Sequence, residues 1–237
     1  SFGDIDGDGV GDVVVTAGGV PGGNIHAYHI NGTIVTGFPV SVGRYPMSAT
    51  LCDLDNNGSK EIIMGTRTGQ VVVYNGNGTM YTGWPKQMDR YVAASAAAGD
   101  VNNDGIPEIA IESRNLLYLY DRNGNILPGF PFAVLDSLVG SNSYSAPVLV
   151  DMDNDNQKEI VFCSHSDVTN AGGIVYVVKN DGTNYPGWPK TVPNWIYAAP
   201  VVADISGDGE LDVIITEYGS SPTPAFYIYG YNNNGTM

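Results

Sequence analysis

Asp4-Ile5-Asp6-Gly7-Asp8-Gly9-Val10-Gly11-Asp12 stands at the start of the chain, and four more stretches repeat its pattern. They begin at Asp53, Asp100, Asp151 and Asp204 and end at Glu61, Glu108, Glu159 and Asp212. With starts at 4, 53, 100, 151 and 204, successive copies lie 49, 47, 51 and 53 residues apart. A second marker follows each of the first four: Gly37-Phe38-Pro39, Gly83-Trp84-Pro85, Gly129-Phe130-Pro131 and Gly187-Trp188-Pro189. A third falls between the two: Asn31-Gly32, Asn77-Gly78, Asn123-Gly124, Asp181-Gly182 and Asn234-Gly235. Three markers in one fixed order along the whole chain define an internal repeat. Each copy is a supersecondary unit whose apolar faces are buried only by stacking on its neighbours.

Each unit reads as four strands. A small-residue strand leads into the acidic loop, and a β-branched run follows it at 13–16, 61–64, 109–111, 160–162 and 213–216. A third strand ends at Tyr28, Tyr74, Tyr120, Val178 or Tyr231, and the Asn-Gly or Asp-Gly pair predicts a type I′ hairpin turn. The Gly-aromatic-Pro segment reads as the fourth strand, with proline tolerated because that strand is an outer edge. Four strands in about 40–50 residues is the pattern of a propeller blade. The fold class is therefore all-β: a single β-propeller domain over 1–237, with blades at about 1–45, 46–92, 93–143, 144–196 and 197–237. The first blade begins just before its acidic loop and the last stops short of a Gly-aromatic-Pro segment. The expectation is a domain truncated at both ends, part of a propeller of six to eight blades.

Bulk composition agrees. The chain has 237 residues, 31 Gly and 14 Pro, with 43% hydrophobic residues, which suits a folded domain of many short strands. A net charge of −15 argues against nucleic acid and against an anionic membrane surface. No apolar run of 18 residues exists to span a bilayer. Cys52 and Cys163 occupy different places in the repeat, two blades apart, and read as free thiols.

The charge is concentrated in the loops, and the pattern points to calcium. Ca²⁺ takes six to eight oxygens, and a tight loop supplies them from side chains at positions 1, 3, 5 and 9 and a carbonyl at position 7. The candidate ligands are Asp4, Asp6, Asp8, Val10 and Asp12; Asp53, Asp55, Asn57, Ser59 and Glu61; Asp100, Asn102, Asp104, Ile106 and Glu108. The last two loops give Asp151, Asp153, Asp155, Gln157 and Glu159, then Asp204, Ser206, Asp208, Glu210 and Asp212. Position 6 should be glycine to turn the chain, as at Gly9, Gly58, Gly105 and Gly209, with Asn156 standing in once. Seventeen of the 25 acids sit at positions 1, 3, 5 and 9, a costly packing of like charge unless a cation lies among them. About five structural Ca²⁺ ions are expected, taking −15 to about −5; Mg²⁺ ranks second because it demands stricter octahedral geometry.

The loops resemble the D-x-D-x-D-G-x-x-D/E loops of FG-GAP (also called VCBS) repeats, the family that includes the integrin α-subunit propeller. Phe2-Gly3 before Asp4 resembles the FG element, and the Gly-Trp-Pro segment is similar to that of secreted bacterial repeat proteins. The resemblance implies structural calcium and an extracellular, secreted or cell-surface setting. It implies no particular activity, because the fold hosts many.

Function is sought on the face opposite the acidic loops, where the fourth-to-first and second-to-third strand connections meet. The former carry Arg44-Tyr45, Arg90-Tyr91, Asn142 with Tyr144, and Trp195 with Tyr197; the latter are long at 20–23, 164–173 and 218–225. Tyr45, Tyr91, Tyr144, Trp195 and Tyr197 are candidates for binding a sugar or a peptide, or else they plug the channel and pack between blades. His26, His29 and His165 read as chance placements, and Asn31, Asn57, Asn77 and Asn234, although in sequons, are explained by turns and loops. No nucleophile, zinc or phosphate motif is present. The expectation is a non-catalytic binding module (adhesion, carbohydrate or protein recognition) of a larger secreted or surface protein, flanked by further blades or domains. A propeller enzyme such as a polysaccharide lyase with structural calcium, and a spacer in a surface filament, are the alternatives.

Overall fold

The computed structural model describes residues 1–19, 22–114, 116–134, 141, 142, 144–166, 172–218 and 227–237. These residues form antiparallel strands and no helix, so none could cross a membrane as a helix. Blade one comprises Phe2–Gly3, Asp12–Ala17, Gly23–His29 and Val40–Val42, paired in that order. Blade two is Thr50–Cys52, Glu61–Gly65, Gln70–Tyr74 and Lys86–Gln87; blade three is Ala97–Gly99, Glu108–Ser113, Leu116–Tyr120 and Phe132–Ala133. Blade four is Val148–Val150, Glu159–Ser166, Gly173–Val178 and Lys190–Val192, with Ser141–Asn142 pairing the far end of its second strand. Blade five has three strands, Val201–Ala203, Asp212–Thr216 and Ile228–Tyr231. The first strands of blades two to five lie beside one another in sequence order, as they must around a propeller axis. The five sheets are the blades of a β-propeller.

The core lies between blades, in four clusters that follow one rule. Val14, Ile25 and Ala27 of blade one meet Ile62, Met64 and Val72 of blade two, and Ile63, Val71 and Val73 of blade two meet Ile109 and Ile111 of blade three. Ala110, Leu117 and Leu119 then meet Ile160, Phe162 and Tyr176, and Val161, Val175 and Val177 meet Val213 and Ile215. Strand alternation sends successive residues to opposite faces, so each inner blade is apolar on both. That is why its second strand reads as a continuous β-branched run rather than an alternating one.

Two local expectations need correction. The hairpins are not type I′: only the glycine has positive φ, 85° at Gly32 and 79° at Gly78. The Gly32 N–H donates to the His29 carbonyl at 2.8 Å and the His29 N–H to that of Thr33 at 2.8 Å, a three-residue loop closed by a left-handed glycine. Asn31 Oδ1 accepts from the Thr33 N–H at 2.9 Å and hydroxyl at 2.7 Å, a side-chain bond that fixes the non-primed turn. The same bond recurs at Asn77, Asp181 and Asn234, so the threonine of these sequons serves the turn. The Gly-aromatic-Pro segment, moreover, is a turn that precedes the fourth strand, which starts at Val40 one residue past Pro39. The four peptide bonds Phe38-Pro39, Trp84-Pro85, Phe130-Pro131 and Trp188-Pro189 are cis. The aromatic ring is drawn between blades: Trp84 and Trp188 are 7% and 6% exposed, and their indole N–H groups donate to the Arg122 and Asn233 carbonyls of the next blade at 2.9 and 2.7 Å.

Candidate functional site

All five acidic loops fold alike, held by three recurring hydrogen bonds. The position-6 N–H (Gly9, Gly58, Gly105, Asn156, Gly209) donates to the first aspartate at 2.8–2.9 Å. The position-7 N–H (Val10, Ser59, Ile106, Gln157, Glu210) donates to the side chain of Asp8, Asn57, Asp104, Asp155 or Asp208 at 2.7–2.9 Å. The position-2 N–H (Ile5, Leu54, Val101, Met152, Ile205) donates to the closing acid, Asp12, Glu61, Glu108, Glu159 or Asp212, at 2.8–3.1 Å. Position 6 has the positive φ that the sequence required, including 69° at Asn156. Position 4 has it too, at Gly7, Asn56, Asn103, Asn154 and Gly207. Sequence reading missed this, although glycine or asparagine fills that position in every copy.

These bonds engage one oxygen of each closing acid and one of each position-5 side chain. Carboxylate oxygens of Asp53, Asp55 and Glu61 come within 4.8 Å of one another, as do those of Asp151, Asp153 and Glu159, and of Asp4, Asp6 and Asp8. The third and fifth loops, with neutral Asn102 and Ser206 at position 3, do not bring three carboxylates that close. The closing acids are 0–3% exposed. Burial pushes the Glu61, Glu108 and Glu159 carboxyls up to about 7, against the backbone N–H bond that lowers each, and neighbouring aspartates push the same way. Asp55 Oδ1 is buried with no hydrogen-bond partner. An all-oxygen donor set with crowded carboxylates and an orphaned buried oxygen fits a hard divalent cation.

One neighbour of the first loop went unrecognised in the sequence. His29 lies opposite Asp12 in the strand pairing, and its Nδ1 stands 2.9 Å from Asp12 Oδ1 and 3.9 Å from Asp6 Oδ2. The signal was the hairpin register, which carries the last residue of the third strand back to the loop. His26 instead stacks on Tyr28, with centroids 6.3 Å apart; the His165 side chain lies outside the described residues.

On the opposite face the structure gathers three of the five expected aromatics. Tyr144 and Tyr197 have ring centroids 5.4 Å apart, and Trp195 and Tyr197 6.1 Å. Tyr218 joins them, 5.3 Å from Tyr197, brought in by the pairing of its N–H with the Trp195 carbonyl. It opens the long 218–225 connection but was not among the candidate residues, which came from the fourth-to-first connections alone. Tyr197 and Tyr218 are 37% and 53% exposed, while Ile196 between the first two anchors is buried. Tyr45, 47% exposed with φ 51°, and half-buried Tyr91 stand on the connections of earlier blades. The Asn142 side chain, residues 20 and 21, and most of the connections 164–173 and 218–225 lie outside the described residues.

A family model for FG-GAP-like repeats matches residues 4–64, 53–111 and 151–215. No curated protein matches the chain. Among solved structures it is similar to the V. cholerae biofilm matrix protein Bap1, with TM-score 0.70 and 20% identity over 98% of this chain and 36% of that one. It is also similar to Saccharomyces cerevisiae Sqt1, with TM-score 0.65 and 12% identity over 95% of this chain and 56% of that one. A europium-containing methanol dehydrogenase gives TM-score 0.64 and 10% identity over 95% and 48%. The chain thus spans between about a third and three fifths of these structures, and at such identities they share its fold alone. The chain belongs to the FG-GAP-like repeat family.

Proposed function

We propose that the chain is a calcium-stabilised, non-catalytic recognition module of an extracellular protein. The observation that carries this is one loop geometry repeated five times, each loop closed by a buried acid, with three carboxylates crowded together in the first, second and fourth. Calcium would be held by positions 1, 3, 5, 7 and 9 of each loop and would neutralise charge that the fold otherwise crowds together. Extracellular calcium is abundant enough to fill such sites, and a biofilm matrix protein shares the fold. The opposite face recognises the partner, a carbohydrate first, through Tyr144, Trp195, Tyr197 and Tyr218. Aromatic rings offer large contact area with little entropy to lose, and stacked pyranose faces suit them. Elemental analysis and calcium titration calorimetry test the first half, and a glycan array with Trp195→Ala as control tests the second. A chain that binds no calcium and melts identically in EGTA refutes the reading.

A further inference from the structure

The residue that follows Tyr28, Tyr74, Tyr120, Val178 and Tyr231 changes from blade to blade: His29, Asn75, Asp121, Lys179 and Asn232. Three of these contact residues just ahead in their own blade. The Asn75 amide donates to the Thr79 hydroxyl at 2.9 Å, and both Asp121 oxygens accept from Asn125 at 2.8 Å. The Lys179 ammonium stands over the Tyr185 ring, 5.3 Å from its centroid. His29 turns instead to the acidic loop and brings a nitrogen donor to an otherwise all-oxygen set.

The carboxylates of the first loop are arranged to share that donor. In the second and fourth loops the closing glutamate gathers with the position-1 and position-3 aspartates; in the first, the closing Asp12 gathers with Asp6 and His29, all within 4.8 Å. Asp12 holds the Ile5 N–H with Oδ2 at 3.1 Å and presents Oδ1 to His29 Nδ1 at 2.9 Å. Asp6 holds the Asp8 N–H with Oδ1 at 3.3 Å, and its Oδ2 stands 3.9 Å from the same nitrogen. Each carboxylate thus fixes the loop with one oxygen and offers the other beside the imidazole. Donors bonded at about 2.0–2.2 Å around a tetrahedral zinc ion stand about 3.4 Å apart, and 2.9 and 3.9 Å straddle that spacing. Calcium takes oxygen donors, whereas imidazole suits zinc and its transition-metal neighbours. The Asp6 and His29 side chains are each 28% exposed, so an ion can reach the group from solvent.

We propose that the first loop is a site for a zinc-class dication, held by His29 Nδ1, Asp6 Oδ2 and Asp12 Oδ1, and that it differs in metal preference from the other four. The inference rests on reading the loops as cation sites. Asp6 and Asp12 would then be shared between the two metals, which compete at this one loop.

The test strips the chain with EDTA, returns it to about 1 mM Ca²⁺ and titrates it with Zn²⁺ by calorimetry. One equivalent should bind with Kd of about 10 µM or tighter in spite of the calcium. His29→Gln, which keeps a hydrogen-bonding side chain, should weaken that equivalent about tenfold or more, whereas His26→Gln on the same strand should leave it unchanged. Co²⁺ in place of Zn²⁺ should give visible absorption bands that His29→Gln alters and His26→Gln does not, a readout of nitrogen ligation independent of stability. Zinc binding that is absent, or equal in the chain and its His29→Gln variant, overturns the proposal and leaves His29 hydrogen-bonded to Asp12 and nothing more. Calcium uptake by the same samples separates two failures: calcium bound without zinc leaves the reading of the loops standing, and loss of both metals refutes the two together.

Discussion

Replacing Gly83 with alanine asks how firmly one blade is tied to the next. Gly83 has φ 92°, a region that costs an L-residue about 1–2 kcal/mol. The new Cβ would stand 2.8 Å from the Asn123 carbonyl carbon, so turn and hairpin must part by on the order of 1 Å to restore van der Waals separation. That motion withdraws the Trp84 indole from the Arg122 carbonyl, now 2.9 Å away, at about 1–3 kcal/mol for a donor left unpaired. It also disturbs the edge contact of Trp84 with Tyr120, centroids 5.5 Å apart, worth about 0.5–1.5 kcal/mol. The total is about 4 kcal/mol, and for a domain of this size the melting temperature should fall by roughly 8–16 °C. Gly32→Ala is the internal control. Its φ of 85° imposes the same backbone cost, but nothing lies within 4 Å of the added atom, so only about 1–2 kcal/mol is expected. Urea titrations and thermal melts of both variants at one calcium concentration decide the matter. Equal losses from the two substitutions would show that the contact between turn and hairpin contributes nothing and that backbone conformation is the whole effect.

Calcium should raise the melting temperature: with Kd of roughly 10⁻⁴–10⁻³ M and about 1 mM Ca²⁺, each site adds about 0.4–1.4 kcal/mol, hence about 2–7 kcal/mol for five, read from melts with and without EGTA. Asn156→Gly should stabilise the fourth loop by about 0.5–1 kcal/mol, since Asn156 holds φ 69°; a loss of stability in urea would mean that its side chain matters more than its backbone. Trp195→Ala should cost about 2 kcal/mol of partner binding with little change in melting temperature; a lowered melting temperature with binding retained would make the aromatic group a packing cluster.

The parts of this fold that were legible in the sequence are those set by local backbone chemistry. Alternating oxygen-bearing side chains around Gly9 or Gly58 accept from the backbone N–H groups of a tight loop, and an apolar run such as Ile62-Ile63-Met64 can be buried on both faces only between two blades. The parts that were missed depend on what a neighbouring blade brings. Trp84 looked like a residue of an edge strand because nothing local reveals that its indole reaches the Arg122 carbonyl, 38 residues away. The hairpins looked like type I′ because Asn-Gly permits it, whereas the Asn31-Thr33 side-chain bond selects the other turn. His29 was missed for the same reason, and Tyr218, although it opens the 218–225 connection, was not among the candidates; strand pairing delivers each to its site.

The acidic loops and the blade junctions are one structure rather than two. The residue whose N–H holds the buried closing acid, Ile5, Leu54, Val101 or Met152, is itself 0–2% exposed and packs in the core between its own blade and the next. Adjacent loops are also joined directly: the Lys60 N–H donates to the Asp4 carbonyl at 3.0 Å, the Lys158 N–H to that of Val101 at 2.9 Å, and the Asn56 amide to that of Gly105 at 2.9 Å. A loop that loses its shape therefore withdraws an apolar side chain and a carbonyl from the adjoining blade. A cation that fixes the loop would act on the junction through the same peptide unit, and emptying the sites would loosen the stacking of blades before the pairing of strands within them. Ile205, the fifth residue of this set, keeps its bond to Asp212 yet is 64% exposed. The loop thus has the same geometry with that residue exposed, so its shape comes from the sequence of the repeat and not from burial of the apolar residue.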